Sequence, residues 1–496
     1  MPECAACKKH SFRYLQPMQH ARHEPTYPPG GYREILKVAY PLMISMGSFT
    51  LMQFVDRMFL AWHSSVSIQA AVPAGILSFT FVCGFMALAG YSNTFVAQFM
   101  GAGDPAGCSR ATAQSVFVAV LSWPIMLALI PVGHLVLRYS GHAPAVLEEE
   151  LIYFNILMIG SVASPLGAAV SGFYTGRSKT LTTMTATVIS NLVNLVLDYA
   201  LIFGNWGFPA MGIRGAAWAS VIASFVLPAI LLVLYFSPST NRAYRTRATF
   251  RWDTALIWRL VRFGSSSGVH LALDVASFGI FVLLTGRMGE VALAASNIAL
   301  SINMLTFLPM IGISIAAATV VGQYQGKRQS HHAETAAWTA LKIGIVYMTV
   351  IGITYILFPT FYLSFFTDRT GDGLTLEQLY PVGRILMIIM ALWGLVDAAN
   401  LVLSGALKGA GDTRFVMLFS LALAWGLLVP GQLILVYVLD QGVVVAWTWT
   451  ALYIFAMAIG FTWRFRKGTW KSIDVLGIER PIQPDRPGAE ALVVMD

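Results

Sequence analysis

Charge is what this sequence has least of. Lys, Arg, Asp and Glu make up only 11% of its 496 residues, where soluble globular chains carry about 25%. With 56% hydrophobic residues and a mean hydropathy of +0.67, a soluble enzyme is excluded. Cysteine is scarce too: four residues whose spacing fits no disulfide framework. Cys83 falls in an apolar run and Cys108 in a polar connection. Cys4 and Cys7 form a C-x-x-C beside His10, without the second ligand pair of a zinc site, and His331-His332 and His20/His23/Glu24 lie in polar segments. No metal is therefore expected. The phosphate-binding pattern G-x-x-x-x-G-K-[ST] is missing, and Gly101-x-Gly103 has no strand before it. No catalytic set clusters, so neither an enzymatic activity nor a cofactor is expected. The first 31 residues are polar and Pro-rich with no apolar h-region, so no cleavable signal peptide is expected there.

Long apolar runs are what the chain does have. A bilayer-crossing helix needs about 20 mostly apolar residues, and twelve runs qualify: 38–62, 68–100, 112–138, 150–176, 181–204, 213–237, 256–287, 291–325, 336–366, 378–408, 414–438 and 442–464. They are continuous and too long for the strands of a membrane barrel. The fold class expected is an all-α integral membrane protein. Prolines punctuate the runs, among them Pro41, Pro73, Pro131, Pro309, Pro359 and Pro430, where they permit bending.

The net charge of +8 is not gathered into a nucleic-acid surface. Basic residues sit between the runs, and they sit unevenly. The even-numbered connections hold thirteen, including Arg110, Arg177, Lys179, six from Arg242 to Arg262, Lys327, Arg328, Lys408 and Arg414; the odd ones hold only Arg138, Arg214, Arg287 and Arg369. The positive-inside rule then puts both termini in the cytoplasm.

The chain also repeats itself. Gln98-Phe-Met-Gly101 returns as Gln323-Tyr-Gln-Gly326, 225 residues on, and the same offset lays Ser65–Ala71 on Glu290–Ser296. Ser171, Gly172, Gly176 and Thr180 match Ser404, Gly405, Gly409 and Thr413 at an offset of 233. Six crossings repeated keep their orientation, so two six-helix lobes related by a pseudo-twofold axis along the membrane normal are expected. The divisions follow: a cytoplasmic tail at 1–34, an N-lobe at 35–237, a linker at 238–255, a C-lobe at 256–464 and a second cytoplasmic tail at 465–496. Lobes that rock about a central cavity suit a secondary transporter rather than a channel.

A charge near the bilayer centre costs about 2.5–3.5 kcal/mol on insertion scales, so intramembrane carboxylates are functional candidates. Asp56 and Asp198 fall in the first lobe, Asp274 and Asp397 in the second. Asn155, Asn191 and Asn194 accompany the first pair, with Asn194 and Asp198 four apart on one helix face. Asp397 shares a face with Asn400, and Asp274 with His270. Carboxylate and amide oxygens are hard ligands for a small cation, and a buried carboxylate can instead carry a proton. The residues leave both uses open. The plainer reading is that these groups bond helices together, or, for Asp56 beside Arg57, mark the membrane interface. The 21 Met and abundant aromatics suit an apolar cavity, although lipid-facing positions explain them equally.

From about Tyr40 to Arg464 these residues resemble the multidrug and toxic compound extrusion (MATE) family. The resemblance rests on Pro41 followed by Val55-Asp56-Arg57-Met58, on the Gln98–Gly103 and Val321–Gly326 pair, and on the run from Asp397 through Asn400 to Ser404–Thr413. It implies an antiporter in the bacterial inner membrane that exports cationic or amphipathic compounds in exchange for Na⁺ or H⁺, working as a monomer among membrane lipids. It carries Asp56, Asn155, Asn194 and Asp198 onto the family's first-lobe cation network and Asp397 onto its second-lobe acid. Asp274 stands where the sodium-coupled branch carries Glu, and Asn194-x-x-x-Asp198 is similar to the branch thought to be proton-coupled. The coupling ion stays open. His270, Asn400 and Asn191 are the residues expected to face substrate. Two other readings are a lipid-linked oligosaccharide flippase of the wider superfamily and a non-transporting receptor or scaffold. The flippase would need a strongly cationic cavity, whereas basic residues other than Arg384 sit at helix ends and in connections.

Overall fold

A computed structural model describes residues 28–285, 287–365 and 376–477. The N-terminal Cys4, Cys7, His10, His20, His23 and Glu24 lie outside these, as do Arg369 and most of the C-terminal tail. Among the described residues, twelve helices are long and apolar enough to cross a membrane: α1 Tyr32–His63, α2 Ser65–Gly101, α3 Pro105–Ala128, α4 Pro144–Thr175, α5 Thr180–Phe203, α6 Ile213–Tyr235, α7 Thr254–Val282, α8 Val291–Gly326, α9 Ser330–Leu357, α10 Glu377–Ala410, α11 Thr413–Val438 and α12 Val443–Lys467.

Local chemistry explains where these helices begin and stop. Ser64 caps α2, its Oγ accepting from the Val66 amide at 3.1 Å. Asp104 caps α3, accepting from the Gly107 amide at 2.8 Å, and Pro105 follows it where a missing N–H costs nothing. The third crossing therefore starts seven residues before the expected 112. It ends at Ala128 because Pro131 opens a separate helix, Ile130–Tyr139. Cys108, expected in a connection, is fully buried in the first turns of α3. Pro359 acts like Pro131: α9 stops at Leu357 and a short helix, Pro359–Ser364, begins. Proline at a helix start ends a crossing rather than bending it. Pro41, Pro73 and Pro309 do lie inside helices.

Helices α1–α6 and α7–α12 form two lobes, and their contacts repeat. Gly176, just past the end of α4, closes against the carbonyl of Asn93 in α2; Gly409 of α10 closes against the carbonyl of Ala318 in α8, Asn93's counterpart 225 residues on. Any side chain at either glycine would collide with that oxygen. The lobes meet through α1 on α8 and α7 on α2, with Gly312 against the Leu42–Met43 backbone and Gly268 against Gly84.

Hydrogen bonds between the lobes gather at the end of the bundle that carries both described chain ends. Tyr91 Oη donates to the Lys408 carbonyl at 2.9 Å, Gln98 Nε2 to the Gly409 carbonyl at 3.0 Å, and Gln323 Nε2 to the Gly176 carbonyl at 2.7 Å. Asn93 and Thr319 complete the seam at 3.1 Å.

The chain after α12, read from the sequence as part of a cytoplasmic tail, is packed as far as it is described. Gly468, at φ +73°, turns the chain out of the helix. Trp470 is then fully buried and stacks on Phe465 with centroids 4.9 Å apart. Ile473 touches the cores of both lobes, and Val475 lies in the N-lobe core against Gly411. Apolar residues hidden among the charges of this segment fasten it as a strap across the seam.

Candidate functional site

Two polar sites lie inside the bundle, one in each lobe. In the first, α1 supplies Asp56 and α5 supplies Asn194 and Asp198 from one face, one turn apart. Asn194 and Asp198 are fully buried. The Asp56 and Asp198 carboxyls face each other at hydrogen-bonding range. As two carboxylates they offer only acceptors, and Asp56 Oδ1, both Asp198 oxygens and both polar atoms of the Asn194 amide have no partner. Buried polar atoms left unpaired cost about 1–3 kcal/mol each, more when charged. The arrangement thus calls for something positive between the carboxyls, a proton or a small cation. Tyr153 of α4 stands beside both acids and near Ser220 of α6.

Two of the asparagines have other partners. Asn155 Oδ1 lies 2.6 Å from His134 Nε2, which ties α4 to the short Ile130–Tyr139 helix. Asn191 donates to Ser48 Oγ of α1 at 2.9 Å.

The second site joins four helices. On α10, Asn400 Nδ2 donates to Asp397 Oδ1 at 3.0 Å, and Asp397 is only 5% exposed. On α7, Asp274 is an exposed residue. One turn earlier, His270 Nε2 lies 3.0 Å from Ser420 Oγ of α11, and His270 Nδ1 lies 3.2 Å from Lys408 Nζ of α10. His270, Asp274, Met417, Ser420 and Ala424 line a small cavity of about 10 Å³, room for one water-sized guest. Tyr453 of α12 sits near both acids with its buried hydroxyl unpartnered. Beside this cavity α11 contains wide turns at Ala424–Leu428 and Ile434–Val438, flanking Pro430.

Sequence reasoning missed Lys408, counted above among the basic residues of a connection. It belongs to α10, half-buried, with its ammonium on His270. A signal was available: Asp397, Asn400, Ser404 and Lys408 recur every three or four residues on one helical stripe. Tyr153 and Tyr453 carried no such signal. Among the described residues no three His, Cys, Asp or Glu side chains gather as a metal site.

Two pseudo-symmetric six-helix lobes, each with a buried acid site, define an integral membrane protein of transporter architecture. The MatE family profile matches residues 41–200 and 267–434. The chain belongs to the MatE family. Among its relatives, the probable multidrug resistance protein NorM of Thermotoga maritima is 25% identical over 453 residues, covering 90% of this chain and 95% of that one. Multidrug resistance protein PmpM of Pseudomonas aeruginosa is 26% identical over 404 residues, covering 80% and 82%. A solved structure described as the outward-facing conformation of a multidrug resistance MATE family transporter aligns with a TM-score of 0.79 at 20% identity, over 89% of this chain and 97% of that one. A transporter of the MOP superfamily from Pyrococcus furiosus, whose binding pocket is described as of reverse polarity, aligns equally well, with a TM-score of 0.79.

Proposed function

We propose that the chain is a secondary active multidrug exporter that exchanges cationic or amphipathic compounds for H⁺ or Na⁺ by alternating access. The observation that carries this reading is the facing pair Asp56 and Asp198, buried together with unpartnered oxygens. That pair suits a proton or a bare monovalent ion and lies in the first lobe. Asp274, exposed in the second lobe, suits a larger cation. Two sites in two rocking bodies are what exchange requires, provided ion and cargo bind the two facing states with different affinities. The names of NorM and PmpM support the cargo class. The membrane is the bacterial inner membrane, with both termini and the strap in the cytoplasm, so the hydrogen-bonded seam closes the cytoplasmic side.

The test is ethidium uptake into inside-out vesicles holding the protein, with a pH gradient and a Na⁺ gradient imposed separately. Uptake driven by one gradient, and lost in Asp198→Asn or Asp397→Asn, is expected. Gradient-driven uptake that survives in both variants removes this mechanism.

A further inference from the structure

Lys408 stands between two partners. An ammonium only donates, so at 3.2 Å from Lys408 Nζ the His270 Nδ1 must accept. His270 Nε2 then carries the proton and donates to Ser420 Oγ at 3.0 Å. The imidazole is thus neutral and oriented, with its lone pair turned to the lysine. One turn along α7, Asp274 acts electrostatically on the same ammonium without touching it; neither residue takes part in the four ion pairs found among the described residues. The four-carbon lysine stem is flexible enough to serve both. His270 and Asp274 line the same small cavity. The other charged or titratable groups at this site are Asp397 and Tyr453.

We propose that Lys408 is a tethered competitor for the Asp274 site: His270 is a rest that holds its ammonium off Asp274, and a cationic cargo must compete with that ammonium for the carboxylate. This residue sets specificity. It penalises cargo whose positive charge is weaker or more diffuse than an ammonium, and it returns a cation to Asp274 when cargo leaves, so the carboxylate need not stand unpaired. The inference rests on Asp274 being a cargo site, as the proposed function has it. It does not need a coupling ion.

Equilibrium binding of ethidium to the purified full chain in nanodiscs, with no gradient, tests it. Lys408→Met removes the competitor and is expected to tighten binding about tenfold, equivalent to about 1.4 kcal/mol. Lys408→Arg is expected to bind as the parent does. His270→Ala frees the ammonium to sit on Asp274 and is expected to weaken binding, an opposite sign that a merely structural role would not give. In an Asp274→Asn background, Lys408→Met is expected to change nothing. Unchanged or weaker binding by a Lys408→Met protein that melts like the parent overturns the proposal, and so does a parent that binds no ethidium. Should Lys408→Met fail to fold, the sign of the His270→Ala effect decides. A parent that binds ethidium but moves none under either gradient overturns the exporter reading and leaves this one standing.

Discussion

Gln98 and Gln323, 225 residues apart, make the same hydrogen bond in opposite directions across the molecule. Gln98 reaches from α2 to the Gly409 carbonyl of α10, and Gln323 from α8 to the carbonyl of Gly176, just past the end of α4. Each is followed three residues later by a glycine that touches the other's backbone: a Cβ on Gly101 would strike the Gln323 carbonyl, and one on Gly326 would strike that of Gln98. The repeated motif is therefore a reciprocal clasp at the seam.

The clasp predicts that Gly101→Val and Gly326→Val each force the lobes apart at this end, and to the same degree. Spin labels at the exposed Arg110 and Lys327, one on each lobe, are expected to report a longer and broader distance distribution in both variants. A parental distance in either would show that the two halves of the clasp do not act alike.

The first-lobe acids predict a trade between stability and transport. Asparagine at position 198 gives Asp56 a donor in place of a second carboxylate, and a hydrogen bond to a charged group is worth about 1.5–3 kcal/mol. Asp198→Asn is thus expected to melt higher than the parent at pH 8, by tryptophan fluorescence in nanodiscs, while losing gradient-driven uptake. A lower melting temperature would mean that the pair is already satisfied by a group other than a shared proton or ion.

The architecture was legible because its signals are local and repeated. Twenty apolar residues mark a crossing, and an offset of 225 marks a duplicated lobe. The buried acids were legible because a charge in an apolar run has few other reasons to be there. What escaped depended on three dimensions. Pro131 reads the same whether it bends a helix or starts one, and only the helix break at Leu129–Ile130 decides. Lys408 reads as a connection residue until α10 is seen to run on to Ala410. Trp470 and Val475, alone among charged neighbours, show no period; their burial depends on a surface made by other helices.

Asp412 and Arg464 make a further prediction. The guanidinium grips the carboxylate at 2.7 Å through Nε and at 3.3 Å through a terminal nitrogen, joining the start of α11 to the end of α12. Asp412 is only 5% exposed. Removing one partner of a buried pair costs about 3–5 kcal/mol, so Asp412→Asn is expected to lower the melting temperature clearly. Arg464→Lys, which keeps the charge but loses the two-pronged grip, is expected to fall between. Equal melting of all three proteins would show that the pair adds nothing.

The strap after α12 separates a strong contact from a weak one. Trp470 is fully buried, and truncating such a side chain costs about 3–5 kcal/mol. Lys471 Nζ lies 2.7 Å from Glu334, but both side chains are a third or more exposed (40% and 33%), and exposed pairs of this kind are worth about 0–1 kcal/mol. Trp470→Ala is expected to raise amide hydrogen exchange across residues 469–477, with Lys471→Ala leaving it near the parental rate. The two ends of the strap should also respond differently to the clasp. Trp470 is anchored on Phe465 in its own lobe, whereas Val475 is seated in the core of the other. When Gly101→Val parts the lobes, the strap cannot stay attached to both. Faster exchange at residues 473–476, with protection retained around Trp470, is the expected pattern. Uniform protection would mean that the strap travels with the seam and that the lobes open elsewhere.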